Sequence, residues 1–237
     1  MGEAKTLLLT GASRGIGHAT VMRFAREGWR VITCSRQPFP EECPWGGGRD
    51  DHIVIDLADP NQTIEAIAGI REKLGGKLHA LVNNAGISPK GPGGSRLSTL
   101  DTDLRTWGHV FHVNFFASIV LARGLKEELS AAKGAVVNVT SIAGSRVHPF
   151  AGAAYATSKA ALKALTREMA HDFGPLGVRV NAIAPGEIET SILSPGTEKI
   201  VETLPLRRLG QPREVADLGP PRSISRQEEA GATPARR

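Results

Sequence analysis

The chain of 237 residues, 41% hydrophobic and 22% charged, is long enough to bury the core of one α/β domain and too short for two full ones. Its net charge of +5 comes from basic residues spread along the chain, which suits a phosphorylated small molecule at least as well as nucleic acid. Cys34 and Cys43 form no C-x-x-C pattern, the N-terminus lacks a signal-peptide h-region, no apolar run approaches a membrane span and no basic patch is concentrated, so the expectation is a cytoplasmic protein with reduced thiols, no zinc site and neither a nucleic-acid nor a membrane partner.

Thr6–Thr10 reads as a short apolar strand feeding G-A-S-R-G-I-G, Gly11 to Gly17, and His18–Glu27 reads as a helix that stops at Gly28. A glycine-rich loop alone is a turn or a phosphate site; a strand before it and a helix after it favour the site. Glycines there permit unusual backbone geometry and a close approach, and the free N–H groups at the helix start attract a pyrophosphate. The next strand, Trp29–Ser35, ends at Arg36, where dinucleotide-binding folds often place an acid against the ribose hydroxyls of NAD. Arg36, with Arg14 in the loop, suits instead the 2′-phosphate of NADP; the plain alternative is a pair of solvated surface charges.

Residues 38–49 form a Pro/Gly-rich loop before the strand His52–Ile55, which ends at Asp56 and Leu57. Pro60–Leu74 is helical in pattern, Leu78–Val82 is a buried-strand run, and N-N-A-G follows from Asn83 to Gly86, a tetrapeptide that turn chemistry alone would also explain. After a loop at Ser88–Ser95, Asp101–Leu129 reads as one extended helix, with Trp107, Val110, Phe111, Phe115 and Leu121 at helical spacing and Asn114 polar among them. His109 and His112 share one face of it without further ligands for a metal.

The run A-V-V-N-V-T-S, ending at Ser141, is a strand, and the segment from Ala153 is rich in helix formers with no Gly or Pro until Gly174. That helix carries the only tyrosine of the protein, Tyr155, and Lys159 four residues on, so phenol and ammonium lie on one face. A free phenol has a pKa near ~10, and a neighbouring cation pulls it towards neutrality. A packed aromatic beside a solvated lysine is the bland reading of Y-x-x-x-K on its own. Val178–Ala184 is a sixth strand, ending in Pro185-Gly186. Six strand-like runs alternating with helical runs predict an α/β fold, a three-layer, Rossmann-type, doubly wound parallel sheet in a single domain.

Taken together, T-G-x-x-x-G-x-G, N-N-A-G, Asn114, Ser141, Y-x-x-x-K and P-G-E-I-E-T, in that order over residues 5 to 216, resemble the short-chain dehydrogenase/reductase family, and 3-oxoacyl-[acyl-carrier-protein] reductases within it. The resemblance implies catalysis by Asn114, Ser141, Tyr155 and Lys159, with Asn114 disturbing its helix and holding a water in a proton relay; an ordinary core amide remains the other reading of Asn114. It implies cofactor contacts from Gly11, Ser13, Arg14, Gly15, Ile16, Gly17 and Arg36, then Asp56 at the adenine amino group with Leu57, and Asn83, Ala85 and Gly86 beneath the adenine ribose. Tyr155, Lys159, Pro185, Gly186, Ile188 and Thr190 would complete the nicotinamide end, and residues 188–203 a flexible lid. The expected activity is interconversion of a carbonyl and a secondary alcohol with NADP(H) in preference to NAD(H), in a homo-oligomer, on a small-molecule substrate that ranges in similar proteins from 3-oxoacyl thioesters to sugars, steroids and small ketones.

Family-like sequence persists through Leu209–Ala216 and then gives way to residues 217–237, rich in Pro, Arg and Ser, without a run suited to a buried strand. The expectation is a catalytic domain at 1–216, an atypical and disordered tail at 217–237 such as a shifted reading frame would give, and a sheet lacking its last strand. A cofactor-binding but catalytically impaired protein is the alternative function that follows.

Overall fold

A computed structural model describes residues 4–39, 45, 48–193 and 196–218. Cys43 and nearly all of the C-terminal tail lie outside the described residues, and so do the expectations of tail disorder and a missing strand.

Among the described residues, six parallel strands form one sheet: β1 (Thr6–Thr10), β2 (Arg30–Ser35), β3 (His52–Val54), β4 (Ala80–Asn83), β5 (Ala135–Val139) and β6 (Arg179–Ile183). Their order is β3-β2-β1-β4-β5-β6, with in-register ladders such as Leu8 between Ile32 and Leu81. The residues of β1, β4 and β5 are all buried, as parallel strands covered on both faces must be. One core, around Leu8, Ile32, Leu81, Leu121 and Val136, lies on one face of the sheet; a second, around Leu7, Leu9, Phe24 and Val31, lies on the other. The alternation of Leu7, Leu8 and Leu9 between the two cores is the period-two pleat of a strand. Strand order reverses between β1 and β4, the place where a doubly wound sheet opens a crevice at its carboxyl ends.

Helix α1 runs Gly15–Arg26 and α2 runs Pro60–Leu74. The second has the predicted bounds because its ends are chemically marked. Asp59 caps the N–H groups of Asn61 and Gln62, Pro60 occupies the first turn, and Gly75 closes the helix at φ 62°.

The segment read as one helix over 101–129 is in fact four pieces: α3 (Leu104–Phe111), a π-helical turn (His112–Phe116), α4 (Ala117–Gly124) and α5 (Lys126–Ala131). It starts late because the Asp103 side chain accepts from Thr106 N at 2.8 Å, whereas Asp101 is engaged with Ser98. Leu125, at φ −112° and ψ 18°, breaks it before α5. Helix α6 (Ala153–Phe173) follows β5, and two short helices, α7 (Glu198–Val201) and α8 (Pro212–Ala216), follow β6, with α8 packed on α1. No described helix is long and apolar enough to cross a membrane.

Candidate active site

The crevice at the strand reversal is a cleft of about 280 Å³. Every site residue named from the sequence lines it except Asn83 and Asn114.

At one end lies the glycine-rich turn between β1 and α1. Gly11 holds φ +69°, and a Cβ on it would stand 2.8 Å from Ala85 Cα. A Cβ on Gly17 would fall 2.0 Å from Gly11 O, so only glycine lets the helix sit this close to the strand end. The turn is tied across to β4: Asn84 Nδ2 donates to Thr10 O at 3.0 Å and to Gly11 O at 2.9 Å, while Thr10 Oγ1 accepts from Asn84 N and Ala85 N. Asn84 is therefore the amide that shapes this end of the cleft. Asn83, one residue earlier in the pleat, points the other way and donates to Asn138 Oδ1 in the buried core. The Asn83 side chain is thus turned into the core, and only its main chain is left to meet an adenosine in the cleft.

Arg14 and Arg36 are exposed at the rim, and neither has an ion-pair partner among the described residues. Asp56 also lines the cleft, its Oδ1 accepting from Ala58 N. Cys34, near the end of β2, also borders the cleft but is fully buried, and burial pushes its thiol up to about 12. Open glycine backbone, a free helix start and two unpaired guanidinium groups fit a pyrophosphate-linked dinucleotide.

At the other end, α6 delivers Tyr155 and Lys159 to the end of β5, where Ser141 stands. Ser141 Oγ accepts from Ala143 N at 3.1 Å, which leaves its hydroxyl proton to donate into the cleft. Lys159 is buried, its Nζ donating to Val139 O at 2.7 Å and lying beneath Gly86, where a Cβ would stand 3.3 Å from it. Burial lowers its ammonium to about 8. Tyr155 is pushed above the ordinary phenol value, first by burial; the Ser141 hydroxyl pulls it down and the Glu187 carboxylate pushes it up. Lys159 is not among the causes that shift Tyr155: its ammonium lies 6.0 Å from the Tyr155 ring centroid and donates to a backbone carbonyl.

Asn114 lies behind the cleft, in the π-helical turn, with 1% of its surface exposed. Its amide accepts from Ile87 N at 2.8 Å and donates to Ile87 O and Ser158 Oγ, each at 3.0 Å. Ser158 in turn donates to Tyr155 O at 2.7 Å. A chain of hydrogen bonds thus joins the N-N-A-G loop to the tyrosine's helix, through a serine that the sequence reading passed over.

Three further cleft residues escaped that reading: Lys90, His148 and Glu187. Lys90 Nζ donates to Phe150 O at 2.9 Å and to Ser88 Oγ at 3.3 Å, and burial lowers its ammonium. His148 Nε2 and Glu187 Oε1 are 2.5 Å apart. These two residues are 39 positions apart in the chain, so no local pattern signals the pair. Of the expected lid, Ser194 and Pro195 lie outside the described residues; the rest is bends, α7 and a bridge from Ile188 to Gly210. No group of three His, Cys, Asp or Glu among the described residues could hold a metal ion.

Comparison with known proteins agrees with this geometry. The family model for short chain dehydrogenases matches residues 5–200. Protein FixR of Bradyrhizobium diazoefficiens is 62% identical over 220 residues, 92% of this chain and 79% of FixR. The 3-oxoacyl-[acyl-carrier-protein] reductase FabG of Thermotoga maritima is 34% identical over 230 residues, 91% of this chain and 89% of its own. A crystal structure of an oxidoreductase of the short chain dehydrogenase/reductase family from Brucella ovis, in complex with a partially ordered NAD, is 62% identical, covers 91% of each chain and superimposes with a TM-score of 0.79. A glycine-rich turn at the strand reversal, a Ser–Tyr–Lys cluster facing it and these similarities agree: the chain belongs to the short-chain dehydrogenase family of NAD(P)-dependent oxidoreductases.

Proposed function

We propose that the protein interconverts a carbonyl and a secondary alcohol with NADP(H), using Tyr155 as the group that gives and takes the proton. The observation that carries this reading is the convergence of Tyr155, Ser141 and Lys159 on one cleft whose far end has the glycine turn and two unpaired arginines. Gly11, Ser13, Gly15, Ile16 and Gly17 would hold the pyrophosphate, Arg14 and Arg36 the 2′-phosphate, and Asp56, Leu57, Ala85 and Gly86 the adenosine. Pro185, Gly186, Ile188 and Thr190 would seat the nicotinamide, with Lys159 at its ribose. When bound, the nicotinamide supplies or accepts the hydride.

Around that chemistry the chain's own groups have separable tasks. Ser141 donates a hydrogen bond to the carbonyl oxygen, where negative charge develops. Tyr155, kept protonated by burial, donates its proton to that oxygen in the reducing direction. Lys159, lowered to about 8, can replace that proton at neutral pH. Asn114 acts behind the cleft: with its amide fully engaged by Ile87 and Ser158, it fixes the spacing between the N-N-A-G loop and α6. Two large apolar side chains, Leu100 and Leu104, stand exposed before and on α3, which supports a homo-oligomer.

The test is Tyr155→Phe, which removes one hydroxyl. Reduction of a carbonyl panel, followed through NADPH absorbance, should be lost while NADPH binding, followed by fluorescence, is kept. Near-normal turnover by this variant would refute the assignment.

A further inference from the structure

Beside Tyr155 the cleft carries one carboxylate, Glu187, which is 8% exposed, together with the ammonium groups of Lys159 and Lys90, each of which donates to a backbone carbonyl. A carboxylate this deep needs hydrogen-bond donors or a cation. The structure supplies one donor, His148 Nε2, at Oε1. Its Nδ1 accepts from Phe150 N and Ala151 N, each at 3.2 Å, which leaves Nε2 to carry the proton towards Glu187. Among the described residues no ion pair joins a lysine or arginine to Glu187, and Lys90 is directed to Phe150 O and Ser88 Oγ. The carboxylate is held at its main chain too, with Glu187 O accepting from Gly210 N at 2.8 Å. Its negative charge reaches the reacting group, since it is one of the causes that raise Tyr155.

We infer that Glu187, oriented by His148, determines specificity: its carboxylate accepts a hydrogen bond from a hydroxyl or ammonium group carried close to the reacting carbon, so that the substrate class is hydroxy- or amino-substituted ketones and the matching alcohols. This rests on the reductase reading above. The cleft is also lined by Phe150, Ile192 and Leu193, and it offers a donor group only two carboxylates, Glu187 and Asp56. His148 is a positioning residue: it ties the loop after β5 to the loop after β6 and turns Glu187 towards the cleft.

The experiment uses matched carbonyl pairs with the full chain and NADPH: acetoin against 2-butanone for the hydroxyl, aminoacetone against acetone for the ammonium. Wild type should favour the donor-bearing member of at least one pair by about tenfold or more in kcat/KM, mostly through KM, as expected for a site that hydrogen-bonds its substrate. Glu187→Leu should erase that preference while still reducing the plain ketone. Glu187→Gln keeps an acceptor for His148 and removes the charge, so it should retain a hydroxyl preference and lose an ammonium preference; it also serves if the leucine variant does not fold. Absence of any preference in wild type, or loss by one common factor for both members of each pair, overturns the proposal and leaves the pair a structural latch between two loops. If wild type reduces nothing while binding NADPH, the reductase reading fails separately. The pairs are then titrated by calorimetry into the NADPH-loaded protein: tighter binding of the donor-bearing member, lost in Glu187→Leu, still supports the site, and equal or no binding overturns it.

Discussion

Burial holds the Lys159 ammonium at about 8, well below a free lysine, so at neutral pH the folded protein keeps a charge that its surroundings disfavour. The sign follows from proton linkage. The unfolded chain binds this proton more tightly than the folded one, so the penalty is complete below about pH 8 and fades as pH rises towards the free lysine value of ~10.4. Lys159→Met should therefore stabilise the nucleotide-free protein at pH 7 by up to about 3 kcal/mol, less the bond to Val139 O, while turnover is lost. Urea unfolding at pH 7 and again near pH 10 checks this: the gap between variant and wild type should shrink at the higher pH. The two rim arginines pose a different question at the same scale. If they receive a 2′-phosphate, NADP(H) should bind about tenfold or more tighter than NAD(H), and Arg14→Ala with Arg36→Ala should level the two. Titration of both nucleotides decides it, and equal affinities in the wild type would remove the preference.

At the scale of elements, the π-helical turn is the informative one. It places Asn114 where its amide closes three hydrogen bonds to Ile87 and Ser158. Asn114→Ala should cost about 2–4 kcal/mol, which lowers the thermal midpoint by about 5–15 °C in a chain of this size. A melting curve measures it; a loss below about 1 kcal/mol would mean the network carries little. The apolar spacing of residues 101–129 runs through this turn, and only Asn114 marks it, by way of the resemblance that implied a disturbed helix there. Helix α2, by contrast, was legible to the residue, since an aspartate cap, a first-turn proline and a left-handed glycine are local signals. The same distinction separates Asn84 from Asn83. Both belong to one motif, but the pleat of β4 decides which amide faces the cleft, and a tetrapeptide read as a unit does not show which way it turns.

For the whole molecule, the parallel doubly wound sheet and the cleft were legible because each strand is a short apolar run and most motifs sit at a strand's end, whereas the strand order is seen only in the structure. Nor was the His148–Glu187 pair legible, since it exists only once the loops after β5 and β6 meet. The cleft draws on both halves of the sheet: the residues after β1, β2 and β3 line the end with the glycine turn, those after β5 and β6 line the end with Tyr155, and those after β4 border both. A ligand that spans it should therefore hold the halves together. Nucleotide at a hundred times its dissociation constant should add about 2.7 kcal/mol to stability and raise the thermal midpoint by about 5–10 °C. Tyr155→Phe should show the same rise, because the proton donor contributes nothing to that linkage. Differential scanning fluorimetry with and without NADPH reads both values, and an unmoved midpoint in wild type would count against the dinucleotide site.

The turn at His112–Phe116 also bears on how this chain can vary in length. A π turn is what an α-helix becomes when it accommodates one extra residue, and each residue of an α-helix turns the following face by about 100°. Loss of a single residue there would give a more regular helix with better-aligned backbone bonds. It would also swing α3 round relative to α4, and carry the Asn114 amide off Ile87 and Ser158. Deletions elsewhere on the surface trim loops; this one would improve the local helix while disconnecting it from Tyr155.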